Sequence, residues 1–108
     1  MNAVIYARVA RPEAAELRLL RSITFCRGYA QQEGLTVVGE FRDIGSGMTL
    51  DRPDLTAMRR VIAQDSIDAV IVYDFSQLTR SGWHTEALRR EFALRGAKLH
   101  SALRQRVL

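Results

Sequence analysis

In the stretch "AVIYARVA", residues 3–10, Tyr6, Arg8 and Ala10 recur at every second position. An extended strand presents such residues on one face, so a phenol and a guanidinium are followed there by a methyl group. An arginine inside an apolar strand needs an anion to offset its desolvation. Two partners meet that need: a structural ion pair with Asp43 or Asp74, or a phosphate. Arg52, beside Pro53, and Arg80 stand at the starts of later helical patterns, close to the same sheet edge. Converging there, Arg8, Arg52 and Arg80 would form a phosphate clamp. Asp43 and Asp74 end apolar runs, and paired carboxylates at strand ends can bind Mg²⁺. The first strand adds no acid to them, so neither a metal nor another cofactor is expected. His84 and His100 lack the spacing of a metal pair or a catalytic triad and are read as surface or helix-end residues. Trp83 and Tyr73 are read as core or rim packing.

The elements that position these residues alternate. Apolar runs at 3–9, 35–41 and 67–75, with a weaker one at 97–103, read as strands. The third is apolar on both faces, as a central parallel strand covered on both sides would be. From Pro12 to about Glu33, Leu19, Ile23, Cys26 and Ala30 form a helical stripe, and Gly34 follows where a helix ends. Asp51 is placed to cap a second helix with Leu55, Met58 and Ile62 inward, and Ser81 a third with Leu88 and Phe92 inward before Gly96. Strands alternating with helices predict an α/β fold, a mostly parallel sheet of about four strands flanked by helices. The loop "DIGSGMTLDRP", 43–53, follows the carboxyl end of a strand, where open α/β sheets place ligands. Its glycines lack the spacing of a nucleotide cradle.

A chain of 108 residues, 47% hydrophobic and 26% charged, fits one globular domain. The net charge of +4 is carried by fifteen arginines and one lysine, a bias toward bidentate partners such as phosphate and carboxylate. Cys26 is the only cysteine, falls in the apolar stripe, and reads as a small buried hydrophobe in a reducing cytoplasm. No export signal or membrane-spanning run is present, so no membrane partner is expected.

Four blocks, "YARVA" (6–10), "CRGYAQQEG" (26–34), "FRDIGSGMTLDRPDL" (41–55) and "IVYDFSQLTRS" (71–81), resemble in order the landmarks of the catalytic domain of resolvase/invertase-type serine recombinases. The resemblance spans Met1 to about Ala102. It implies DNA strand cleavage through a covalent phosphoserine link, with no cofactor, by a serine ending the first strand beside a cationic clamp. It also implies family active-site positions at Tyr6, Arg8, Asp43, Ser46, Arg52 and Arg80. Ala10 stands at the nucleophile position, and Ser76 and Gln77 replace the aspartate and first arginine of the Asp-Arg-Leu-x-Arg signature. A glutamine usual in the first helix corresponds to Ser22. The chain also stops before the long helix and DNA-binding region of such enzymes, so residues 1–108 are expected to be a single resolvase-like catalytic domain.

The expectation is a catalytically silent domain that acts by self-association or association with an active recombinase and binds DNA, if at all, weakly and nonspecifically. The alternatives are an active enzyme using Ser46 or Ser76, a nonspecific phosphate-binding module, and a gene remnant.

Overall fold

The computed structural model describes residues 1–108. β1 (Asn2–Val9) is an interior strand of a five-stranded sheet, parallel to β2 (Thr36–Ile44) on one side and to the central β3 (Ala69–Val72) on the other. β4 (Lys98–Ser101) continues the parallel set, and β5 (Arg106–Val107) closes the edge antiparallel, giving the order β2-β1-β3-β4-β5. The helices are α1 (Ala15–Gln32), α2 (Pro53–Gln64), the single turn α3 (Phe75–Leu78) and α4 (Gly82–Leu94). This is the α/β architecture expected, with a fifth, two-residue strand and a short helix that the sequence pattern did not reveal.

Strand alternation divides β1 between two cores. Ala3, Ile5, Ala7 and Val9 pack with Leu19, Ile23, Cys26 and Ala30 of α1. Val4 and Tyr6 turn the other way, onto Leu55, Met58 and Ile62 of α2 and Leu88 and Phe92 of α4. The helical stripes read from the sequence are thus the buried ones. Each buried leucine, isoleucine or phenylalanine contributes about 1.5–3 kcal/mol relative to exposure. Burial pushes the Cys26 thiol up to about 12, consistent with an inert core residue.

Several boundaries differ from the expectation for physical reasons. α1 starts at Ala15 instead of Pro12 because Ala14 takes a left-handed φ of 53°, which breaks the helical run. It ends as expected: Gly34 adopts φ 69°, and the Leu35 amide donates back to the Ala30 carbonyl at 2.8 Å. β2 extends to Ile44 because its ladder with β1 continues through Arg8↔Asp43 and Val9↔Ile44. β3 stops at Val72; beyond it Asp74 caps α3 by accepting the Phe75 amide at 2.9 Å. Asp51 does not cap α2, whose first amides are taken by Asp43 instead. Ser81 does cap α4, accepting the His84 amide at 3.3 Å.

Trp83 is a correction: it is 86% exposed rather than packed. Nine residues separate it from Phe92, half a turn out of phase at 100° per residue, so burying Phe92 points Trp83 outward. His100 is likewise no surface residue. It is half-buried on β4, with Nδ1 2.8 Å from the Tyr29 hydroxyl.

Candidate functional site

β1, β2 and β3 are parallel, so their carboxyl ends share one edge of the sheet, and the polar residues gather there. Asp43 is buried and accepts three hydrogen bonds: from the Tyr6 hydroxyl at 2.7 Å, the Asp54 amide at 3.0 Å and the Leu55 amide at 2.9 Å. Its negative charge therefore sits at the amino end of α2, where the helix dipole favours it. Arg52, also buried, donates to the Tyr6 hydroxyl at 2.7 Å, the Leu78 carbonyl at 2.6 Å and the Thr49 carbonyl at 3.0 Å. Tyr6 thus bridges an anion and a cation. Burial, then its hydrogen bond to Asp43, pushes its phenol far above the ordinary range, so it stays a neutral donor.

Arg8 forms no ion pair with Asp43 or Asp74, which corrects the structural ion-pair reading. Its guanidinium instead donates to three backbone carbonyls, Gln77 at 3.1 Å, Gly45 at 3.0 Å and Ser76 at 2.7 Å. Such acceptors satisfy the donors without neutralising the charge. Burial first, and then the positive charges of Arg52 and Arg80, lower the Arg8 pKa.

The loop after β2 is folded over this cation. Gly47 is buried, and its carbonyl accepts from the Arg80 amide at 2.8 Å and the Thr79 hydroxyl at 2.9 Å. A Cβ at Gly47 would lie 2.6 Å from Arg80 Cγ and 2.8 Å from an Arg8 terminal nitrogen. Only glycine permits so close an approach. Ser46 is exposed, and its hydroxyl accepts the Met48 amide at 3.0 Å.

Ala10 lies in a bend just past β1, exposed, so strand alternation no longer fixes its direction. It still shares a cavity of about 480 Å³ with Arg8 and Arg80, and with Ser76 and Gln77 of α3. α1 supplies Arg18, Arg21, Ser22 and Phe25 to the same cavity, a contribution the sequence reading did not foresee except at Ser22. Gln77 Nε2 donates to the Ser22 hydroxyl at 2.8 Å, while Gln77 Oε1 is buried without a partner. Ser76 is exposed, its hydroxyl 3.4 Å from Asp74 Oδ2. Asp74 in turn is gripped by Arg104 at 2.9 Å, which holds its carboxyl below the usual range.

The structure therefore brings Arg8, Arg80, Ala10, Ser76 and Gln77 to one cavity. Tyr6, Asp43 and Arg52 form the buried network behind it, and Ser46 sits on the covering loop without lining the cavity. The cavity lining contains no carboxylate, so what it can do is attract an anion.

The fold has counterparts among known proteins. The model of the resolvase N-terminal domain matches residues 3–106. Among solved structures, the C-terminal catalytic domain of ISC1926 TnpA, an IS607-like serine recombinase, superposes with a TM-score of 0.87 at 32% identity, covering 94% of this chain and 70% of that one. The N-terminal catalytic domain of TP901-1 integrase gives 0.88 at 26% identity, covering 99% and 81%. A resolvase family site-specific recombinase from Streptococcus pneumoniae gives 0.85 at 17% identity over 99% and 75%, a likeness of fold. No curated protein sequence matches the chain.

Proposed function

Since the chain belongs to the resolvase N-terminal domain family, matched over residues 3–106, we propose that it engages DNA phosphate without cleaving it and acts through association with itself or with an active serine recombinase. One observation carries this reading: the residue at the mouth of the arginine-lined cavity, at the end of β1, is Ala10. A methyl group cannot attack phosphorus. Removing a serine nucleophile from an enzyme that depends on it costs about a millionfold in turnover. A transition-state arginine is worth roughly a thousandfold or more in phosphoryl transfer, and Gln77 stands where the family resemblance expects one.

The retained residues divide by role. Arg80 is exposed at the cavity and would meet phosphate, Arg8 lines it and adds positive charge while held by carbonyls, and Tyr6, Asp43 and Arg52 hold β1, β2 and α2 in register behind it. Ser46, committed to a turn within its loop, would serve the loop rather than the reaction. The DNA link rests on the relatives, described as serine recombinases and an integrase.

A second reading has one observation in its favour: Ser76 lines the same cavity and its hydroxyl lies near the Asp74 carboxylate. Arg104 competes for that carboxylate at shorter range, which makes Asp74 a poor base, so the silent reading is preferred.

The test is incubation with nicked DNA substrates that trap covalent intermediates, followed by denaturing gels, alongside size-exclusion chromatography with and without a related active recombinase. The proposal expects no adduct and a shift in elution. An adduct mapped to Ser76 would install the second reading, and a strictly monomeric chain that leaves recombination unchanged would remove the associative role.

A further inference from the structure

The cavity beside Ala10 is equipped for more than a phosphate. Its outer wall is α1, from which Arg18 and Arg21 project one turn apart, both exposed. Arg80 is exposed on the opposite side. None of the three is drawn into an ion pair; the ion pairs join Glu40, Asp74, Glu86 and Glu91 to Arg27, Arg59, Arg89, Arg90 and Arg104. Arg8, by contrast, is already bound to three carbonyls and Arg52 is buried out of reach. The cations free to take an incoming anion are therefore those of the rim.

Between them stands an aromatic pair. Phe25 and Tyr73 both line the cavity and meet edge to face, ring centroids 5.2 Å apart at 80°. Phe25 is 47% exposed, although its neighbours at Ile23 and Cys26 are fully buried. Basic side chains interleaved with an exposed aromatic ring are the elements of a single-strand nucleic-acid site, where cations track the backbone and rings stack on bases. The cavity of about 480 Å³ has the size of a small-molecule site rather than of a duplex groove.

We propose that this cavity binds one unpaired nucleotide of single-stranded DNA, its phosphate among Arg18, Arg21 and Arg80 and its base against Phe25. The proposal rests on the reading of a domain that engages DNA phosphate without cutting it, and adds which residues make the contact and which form of DNA they prefer. A duplex keeps its bases stacked inside and offers the cavity only its backbone.

Fluorescence anisotropy with a labelled oligothymidylate of about 12 nucleotides and a duplex of equal length separates the possibilities. The single strand should bind roughly tenfold more tightly. Phe25→Ala should weaken single-strand binding about tenfold, the loss of one stacked base, and leave duplex binding unchanged. Phe25→Trp should restore binding and report it through quenching of its emission, which covers the case in which the alanine variant is poorly folded. Arg18→Gln with Arg21→Gln should lower the salt slope of single-strand binding by up to about 0.7, the share of the one phosphate they hold. Arg60→Gln, exposed on α2 and remote from the cavity, should change nothing.

Equal affinity for both forms, or wild-type binding by Phe25→Ala, would overturn the nucleotide site and leave an electrostatic surface. No binding at about 50 mM salt would overturn it outright. A covalent adduct on trapping substrates would instead sink the silent reading while leaving this preference measurable.

Discussion

On the α2 side of the sheet edge, Tyr6, Asp43 and Arg52 satisfy one another and the start of a helix through six hydrogen bonds of 2.6–3.0 Å. On the α1 side, Ala10 offers no polar group, Gln77 Oε1 has no partner, and Arg18, Arg21 and Arg80 are free of ion pairs. The two sides are separated by Arg8, whose guanidinium is held by carbonyls of Gly45, Ser76 and Gln77. The polar groups that hold these elements together are matched, and the free arginines line the cavity. A domain of this kind keeps its shape for reasons independent of what its site can catalyse.

The contrast can be broken first on the matched side. Arg52→Met should cost about 3–5 kcal/mol in urea unfolding, because it strips the Thr49 and Leu78 carbonyls of their donor and removes the cation that shares the Tyr6 hydroxyl with the buried Asp43 carboxylate. A loss under about 1 kcal/mol would mean the network is ornamental.

Gly47→Ala tests the seam between the sides. Its methyl would crowd Arg80 Cγ and the anchored Arg8 guanidinium, so a loss of about 1–3 kcal/mol is expected. The Arg80 amide, which donates to the Gly47 carbonyl, should exchange with solvent faster, and unchanged exchange would contradict the covering role of the loop.

On the open side the effects shrink. Ser22→Ala removes the acceptor of Gln77 Nε2 and should cost about 1 kcal/mol. Acid should matter least. Arg104 holds Asp74, and Arg27 holds Glu40, below the usual carboxylate range. Carboxyls depressed in the folded state stabilise it fully at neutral pH and lose that contribution as pH falls through their lowered values, below about pH 4. Both pairs are at the surface, so the contribution of each is under about 1 kcal/mol, and Arg104→Ala should flatten its part of the acid limb in a pH series of melting curves.

Much of the scaffold was legible because burial leaves a period. Leu19, Ile23, Cys26 and Ala30 on α1, and Leu55, Met58 and Ile62 on α2, are the buried faces that spacing predicted, and Gly34 and Ser81 end and start helices as their chemistry suggests. α3 left no such trace, because four residues are too few to show a helical period. Asp43 was legible as an acid ending a strand but not as the cap of α2, since its contacts to Asp54 and Leu55 depend on how the loop returns the chain to the sheet edge. The partners of Arg8 are carbonyls, which every residue carries and no sequence singles out. Arg18 and Arg21 were overlooked as ordinary charges on a helix; their signal was a three-residue spacing on the exposed face of the helix that follows Ala10.

The central claim is that the open side has lost more than a hydroxyl. The variant Ala10→Ser restores only that hydroxyl, leaving Ser76 and Gln77 as they are. Incubated with a trapping DNA substrate and run on a denaturing gel, it should give no covalent protein–DNA adduct. An adduct mapped to the introduced hydroxyl at position 10 would show that one substitution alone had silenced the site.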